Sequence, residues 1–347
     1  MLSAEDTLKL NVLIATSVAI RIDIYKLVVV GLNAQHKEQT IELNPSGDSS
    51  KYIKEVQKLL VSQVLGAMGG YPSYLKRWSR MGQVESSNLA SLLKLGDVEA
   101  VVAVSNATNL DEKLLEITWW CATNTDQQAE IGRFLLTKNF VVKTQIGKQI
   151  AEYLFEFLPF TDDIEQLIDT TNLVLQKDLI DSSLVDRLWK QGQRKTVFLV
   201  GFIERLQNNL PNTDGTIKLD CKQKELEEIC TEQGQILLKT ISHILKKINQ
   251  EYVLYRTLEV LGGFMSHKMI QTFNTIEEIT EQADIVAKNL GLQDDDKVRA
   301  RLMLAGVSED LVVSYISAHN LTGSAIRKKL DNVLSPIQDA LQLLTTP

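Results

Sequence analysis

Residues 66–82 read Gly66-Ala-Met-Gly-Gly-Tyr-Pro-Ser-Tyr-Leu-Lys-Arg-Trp-Ser-Arg-Met-Gly82. Glycine accepts the left-handed conformation that ends a helix, so the helix predicted over Lys51–Met68 stops at Gly69-Gly70. Pro72 disfavours the α region at Tyr71 and turns the chain. Ser73–Met81 then reads as a short new helix, with Pro72 or Ser73 near its N-terminus. The stretch therefore separates two kinds of sequence.

Before it, two periods alternate. Leu8, Val12, Ala15 and their neighbours suit a first helix. Ala19–Asp23, Lys26–Leu32 and Gln39–Leu43 read as two or three strands, with Ala34–Glu38 as a hairpin loop. Ile53, Val56, Leu59, Leu60, Val64 and Met68 then follow helical spacing.

After it, helical patterns dominate. Asp111 starts a helix carrying Leu114, Leu115, Trp119 and Ala122. Thr125 with Gln128, and Asp162 with Glu165, read as capping boxes. Pro159 ends the helix through Ile146, Ile150, Leu154 and Phe157. The pair Trp119-Trp120 points two ways around its helix, one ring to the core and the other to a neighbouring helix. Gln207–Thr216 gathers Asn208, Asn209, Pro211, Asn212, Asp214 and Gly215 and reads as a boundary. Lys222–Leu261 reads as one long helix broken at Gly262-Gly263. Helices near 266–290, 295–305, 308–319 and 322–344 follow, the last kinked or divided at Pro336.

The predicted fold class is mainly α. A small N-terminal α+β portion (1–70) precedes an irregular or HEAT-like helical domain (71–210) and a C-terminal helical bundle (211–347).

Composition bounds the function. The chain has 347 residues and a formal charge of −7, with a pI near 5.3, which argues against broad nucleic-acid binding. The longest uncharged stretch, Leu59–Leu75, is too short and too broken by glycine and proline to span a bilayer. Glu5 and Asp6 stand where a secretion signal carries cations. The three cysteines, Cys121, Cys221 and Cys230, are sparse and odd in number, as suits thiols in a reducing compartment. A cytoplasmic location is expected.

The sequence carries few chemical motifs. There is no phosphate-binding glycine motif and no Gly-x-Ser-x-Gly elbow. Gly66-Ala67-Met68-Gly69 fits a Gly-x-x-Gly string, but Ala and Met occupy the places where an RNA-clamping loop carries a cation. His36, His243, His267 and His319 lack partners at ligand spacing, so no metal or cofactor site is expected. Cys121 reads as a buried structural thiol. Cys221 and Cys230 are nine residues apart, which is not a usual metal or redox spacing, and no cation-rich or Cys-x-x-Cys setting surrounds any of the three.

Two basic clusters remain. Lys76, Arg77 and Arg80 interleave with Tyr74 and Trp78, and Lys190, Arg194 and Lys195 flank Gly192. Cations among aromatics suit an anionic partner or single-stranded nucleic acid. The bland alternative is a turn with inward aromatics and solvated cations.

Gly69-Gly70-Tyr71-Pro72, Tyr74–Trp78 and Arg80–Gln83 resemble the DsrS family, which is encoded with the dissimilatory sulfite reductase genes of sulfur-oxidising bacteria. Ala19–Asp23, Leu95-Gly96, Glu99–Val104, Trp119-Trp120, Glu156–Phe160, Leu173–Gln176, Leu188–Lys190, Arg194-Lys195 and Val200–Phe202 look similar too. The resemblance covers roughly residues 1–211 and carries no catalytic or cofactor residues. It implies a cytoplasmic accessory protein of sulfur oxidation without an established activity, for which a regulatory or assembly role is expected. With the missing catalytic constellations and the many short helices, the chain is expected to be no enzyme and to bind protein partners of that machinery. RNA binding is the alternative, and a cysteine-dependent sulfur-handling role ranks behind it.

Overall fold

A computed structural model of the chain describes residues 2–45, 47–66, 86–319 and 323–346. The described residues are mainly helical, with one three-stranded antiparallel sheet near the N-terminus. The chain forms two compact units, Met1–Phe157 and Leu158–Pro347.

In the first unit, α1 (Ala4–Thr16) begins at Ser3, whose hydroxyl accepts from the Asp6 N–H. Strands β1 (Ser17–Asp23), β2 (Val28–Asn33) and β3 (Glu38–Glu42) pair in order, with Ala19 opposite Leu32 and Val29 opposite Ile41. Helix α2 (Ser49–Leu65) starts at Asp48, whose carboxylate accepts from the N–H groups of Ser50 and Lys51. Leu10, Leu13, Ile20, Val29, Ile41, Ile53, Val56 and Leu60 close one core between α1, the sheet and α2.

The apolar residues of α1 divide between two faces. Leu8 and Val12 are 68% and 50% exposed, while Leu10, Leu13 and the carboxylate of Asp6 face inward. Asp6 is tolerated there because it accepts from the Tyr52 hydroxyl on α2 and from the Asn44 N–H, so its charge is hydrogen-bonded. Helix α2 also ends earlier than its apolar spacing predicts. Gly66, the first glycine reached, already adopts the left-handed conformation at φ 65° and donates its N–H to Ser62. Gly69-Gly70 and the turn at Pro72 lie outside the described residues.

The first unit continues through α3 (Ser86–Leu92), α4 (Val98–Asn106), α5 (Glu112–Ala122), α6 (Gln128–Leu136) and α7 (Gln145–Phe157). Helices α4 to α7 pack on one another, and α5 also packs on β1. Trp119 on α5 is buried and meets Tyr153 on α7 edge-to-face. Trp120 does not seek another helix. Its Nε1–H donates to Glu38 at 2.7 Å, and Arg21 lies 4.4 Å over its ring, so it docks α5 on the sheet.

The second unit comprises α8 (Ile164–Val174), α9 (Ser182–Gly192), α10 (Val197–Arg205), α11 (Glu227–Cys230), α12 (Glu232–Lys246), α13 (Glu251–Met265), α14 (Ile276–Asn289), α15 (Asp296–Leu304), α16 (Asp310–His319), α17 (Ser324–Lys329) and α18 (Asp331–Thr345). Helix α10 is central: Val197–Ile203 are all buried, and the helix packs on α8, α9, α12 and α13. Across this centre Arg256 on α13 donates to Glu204 on α10 and Asp169 on α8, which holds its guanidinium charged.

Several predicted boundaries change here. Lys222–Leu261 is not one helix, because Thr231 and Gln250 take extended conformations and start α12 and α13 afresh. Gly262-Gly263 does not break α13. The helix runs to Met265, and Gly262 is there because the Val307 carbonyl lies where a Cβ would sit. Residues 266–275 precede α14 rather than begin it. The last helical stretch divides at Leu330, between α17 and α18, with Pro336 inside α18.

Candidate functional site

The cations of the first basic cluster, Lys76, Arg77 and Arg80, and its aromatics Tyr74 and Trp78, lie outside the described residues. Lys190, Arg194 and Lys195 lie in the second unit, and all three are exposed. Lys190 stands in the last turn of α9, which ends at the buried Gly192. The N–H groups of Arg194 and Lys195 both donate to the Gln191 carbonyl at 3.0 Å, which fixes the turn into α10 and leaves their side chains outside. The apolar stem of this turn is anchored by Trp189, buried edge-to-face on Phe202 at 5.0 Å. Lys195 lies 5.4 Å over the Phe198 ring.

The fold adds cations that the sequence holds far apart. The Gln193 carbonyl accepts from Lys247 Nζ at 3.0 Å and lies 3.2 Å from His243 Nε2. This seats the C-terminal turn of α12, with His243 and Lys246, beside the turn from α9 to α10. The Lys246 carbonyl in turn accepts from Arg327 Nη1 on α17 at 2.9 Å. Lys328 and Lys329 follow in the same short helix.

The cations Lys190, Arg194 and Lys195, Lys246 and Lys247, and Arg327, Lys328 and Lys329 therefore stand on three neighbouring segments. Cations at the C-terminus of α12 complement the helix dipole, but their side chains are exposed. None of these eight forms an ion pair with a described acid. The arrangement offers fixed positive charge and backbone-anchored turns to an anion. Sequence spacing shows the cations of each segment but not the two carbonyl contacts that join them.

The cysteines divide sharply. Cys121 is buried, 3.8 Å from the Leu93 carbonyl oxygen, and burial pushes its thiol up to about 12. A thiol held protonated this firmly is no nucleophile at neutral pH. Cys221 and Cys230 are not separate thiols: the fold brings them together in a disulfide. Lys218, Lys222 and Lys224, together with Glu227, line a pocket beside that pair.

Among the described residues no group of three or more His, Cys, Asp or Glu could hold a metal ion, and no helix is long and apolar enough to cross a membrane. In the comparisons with known proteins, no family model, no curated protein and no solved structure matches the chain.

Proposed function

We propose that this chain is a non-enzymatic accessory or regulatory protein of dissimilatory sulfur oxidation, acting in the cytoplasm by binding a protein partner. The observation that carries the binding reading is the run of eight exposed cations in the second unit, none ion-paired with a described acid, within a chain of net charge −7. Charge gathered on one surface and not neutralised locally steers an oppositely charged partner and fixes its orientation. The resemblance of residues 1–211 to the DsrS family supplies the biological setting, and the partner expected there is an acidic face of the sulfite-reductase machinery.

Crosslinking and pull-down from native cytoplasm test this with the wild type and an Arg194→Glu/Lys195→Glu variant. The wild type is expected to capture sulfite-reductase components and the variant to lose them. A wild-type chain that stays alone ends the partner reading.

RNA is the second reading of the same surface, because unpaired cations equally suit phosphate. Counterion release makes such binding fall steeply as salt rises. Filter binding that shows no retention of RNA even at low salt removes this reading and leaves the first intact.

A further inference from the structure

Cys221 and Cys230 have Cα atoms 6.2 Å apart, within the range a disulfide requires. Cys230 is the last residue of α11 and is buried, whereas Cys221 lies in the extended segment before α11 and is half-buried. The Leu219 N–H donates to the Cys230 carbonyl at 2.8 Å, which lays that segment along the end of the helix. Both cysteines line a cavity of about 400 Å³ together with Lys218, Lys222, Lys224 and Glu227. The three lysines are exposed, and none forms an ion pair with a described acid. Among its lining residues, three cations face one carboxylate.

We infer that Cys221–Cys230 is a redox-active disulfide that exchanges with a small thiol bearing carboxylates, held by Lys218, Lys222 and Lys224. The thiolate attacks Cys221 Sγ, the more accessible sulfur. The protein S–S bond breaks, a mixed disulfide forms on Cys221, and Cys230 leaves as thiolate. A second thiolate then attacks the small molecule's sulfur in that mixed disulfide and releases Cys221 as thiolate. Two small thiols are thereby oxidised to one disulfide, and their two protons end on Cys221 and Cys230. The lysines favour the anionic attacker and both leaving thiolates. Cys230 also directly precedes Thr231, the N-cap of the 15-residue helix α12, where the dipole favours negative charge.

Opening this bond need not release the segment. Gln233 on α12 holds Leu210 through both backbone groups, Glu232 accepts from Asn212, and Lys239 donates to Thr216. The exchange is thus a local chemical event on a folded chain.

The test follows reduction of the full-length, air-purified protein by acid-quenched alkylation and mass spectrometry. Glutathione serves as the dicarboxylate thiol and cysteamine as the cationic one, at matched thiolate concentration. Glutathione is expected to react about tenfold faster at low salt, in line with charge-focusing clefts, and the gap is expected to close at high salt. The variant Lys218→Gln/Lys222→Gln/Lys224→Gln is expected to remove the preference. Equal rates for the two thiols on the wild type overturn the proposal without recourse to any variant. So does a bond that opens only in denaturant, or the recovery of Cys221 and Cys230 as free thiols from the aerobic preparation.

Discussion

A Cβ on Gly262 would overlap the Val307 carbonyl oxygen, whereas one on Gly263 would meet nothing within 4 Å. Both residues lie inside α13. Gly262→Ala therefore forces backbone apart and should destabilise by about 1–3 kcal/mol, the usual range for overpacking. Gly263→Ala removes unfolded-state freedom at no steric cost and should stabilise by about 0.5–1 kcal/mol. Urea midpoints for the two variants should move in opposite directions; a shared direction refutes the packing account. The sequence shows two adjacent glycines and invites the reading of a helix break. The reason for the first is a carbonyl more than forty residues later in the chain, which no local pattern contains. Cys121 gives a second test at this scale. Below about pH 8.5 its thiol is protonated both folded and unfolded. Above that, the unfolded chain releases the proton while the buried thiol keeps it up to about 12. Unfolding is then favoured, by about 1.4 kcal/mol for each further pH unit. The stability difference between wild type and Cys121→Ala should shift against the wild type with that slope above about pH 9. A difference that stays flat in urea titrations across this range refutes it.

Helices were legible where one partner surface dominates them. In α2, Ile53, Val56 and Leu60 recur at helical spacing and are buried as the pattern requires, between an Asp48 cap and the Gly66 stop. In α1 the pattern gives the helix but not its buried face, because apolar residues lie on two faces. Leu8 and Val12 match helical periodicity as well as Leu10 and Leu13 do. What decides between them is tertiary: the inward face is the one where Asp6 finds the Tyr52 hydroxyl and the Asn44 N–H. The contact joins α1 to α2, so it should appear as a coupling between elements. Asp6→Ala and Tyr52→Phe should each cost about 1–3 kcal/mol, since each leaves a buried polar group short of one hydrogen-bond partner. The double variant should cost less than their sum, with a coupling of about 0.5–3 kcal/mol in a double-mutant cycle. Strict additivity refutes a shared contact. The strands were more legible than α1. Their alternation and the polar loop after Asn33 place β1, β2 and β3 in a meander, and a short meander has few alternative pairings.

Net charge and local charge make opposite predictions for the molecule as a whole. At −7, a uniformly charged chain would be repelled by a polyanion. The second unit instead gathers Lys190, Arg194, Lys195, Lys246, Lys247, Arg327, Lys328 and Lys329 along turns and helix ends. Each stretch of cations can be read directly from the sequence. Their union cannot, because it depends on the Gln193 and Lys246 carbonyls accepting from Lys247 and Arg327. Screening confines each charge's field to about 10 Å at ordinary ionic strength, so a ligand at these segments responds to the local charges rather than to the net charge of the chain. The protein should therefore be retained on a heparin matrix at low salt despite its acidic pI. Arg194, Lys328 and Lys329 are exposed and form no ion pair with a described acid, so reversing all three to Glu should change stability by no more than about 0.5 kcal/mol per site. The same reversal should abolish retention, with an unchanged circular dichroism spectrum showing that the fold survives. Flow-through of the wild type, or retention unaffected by the reversal, would mean that these cations are only a solvated rim and that the partner reading must find another surface.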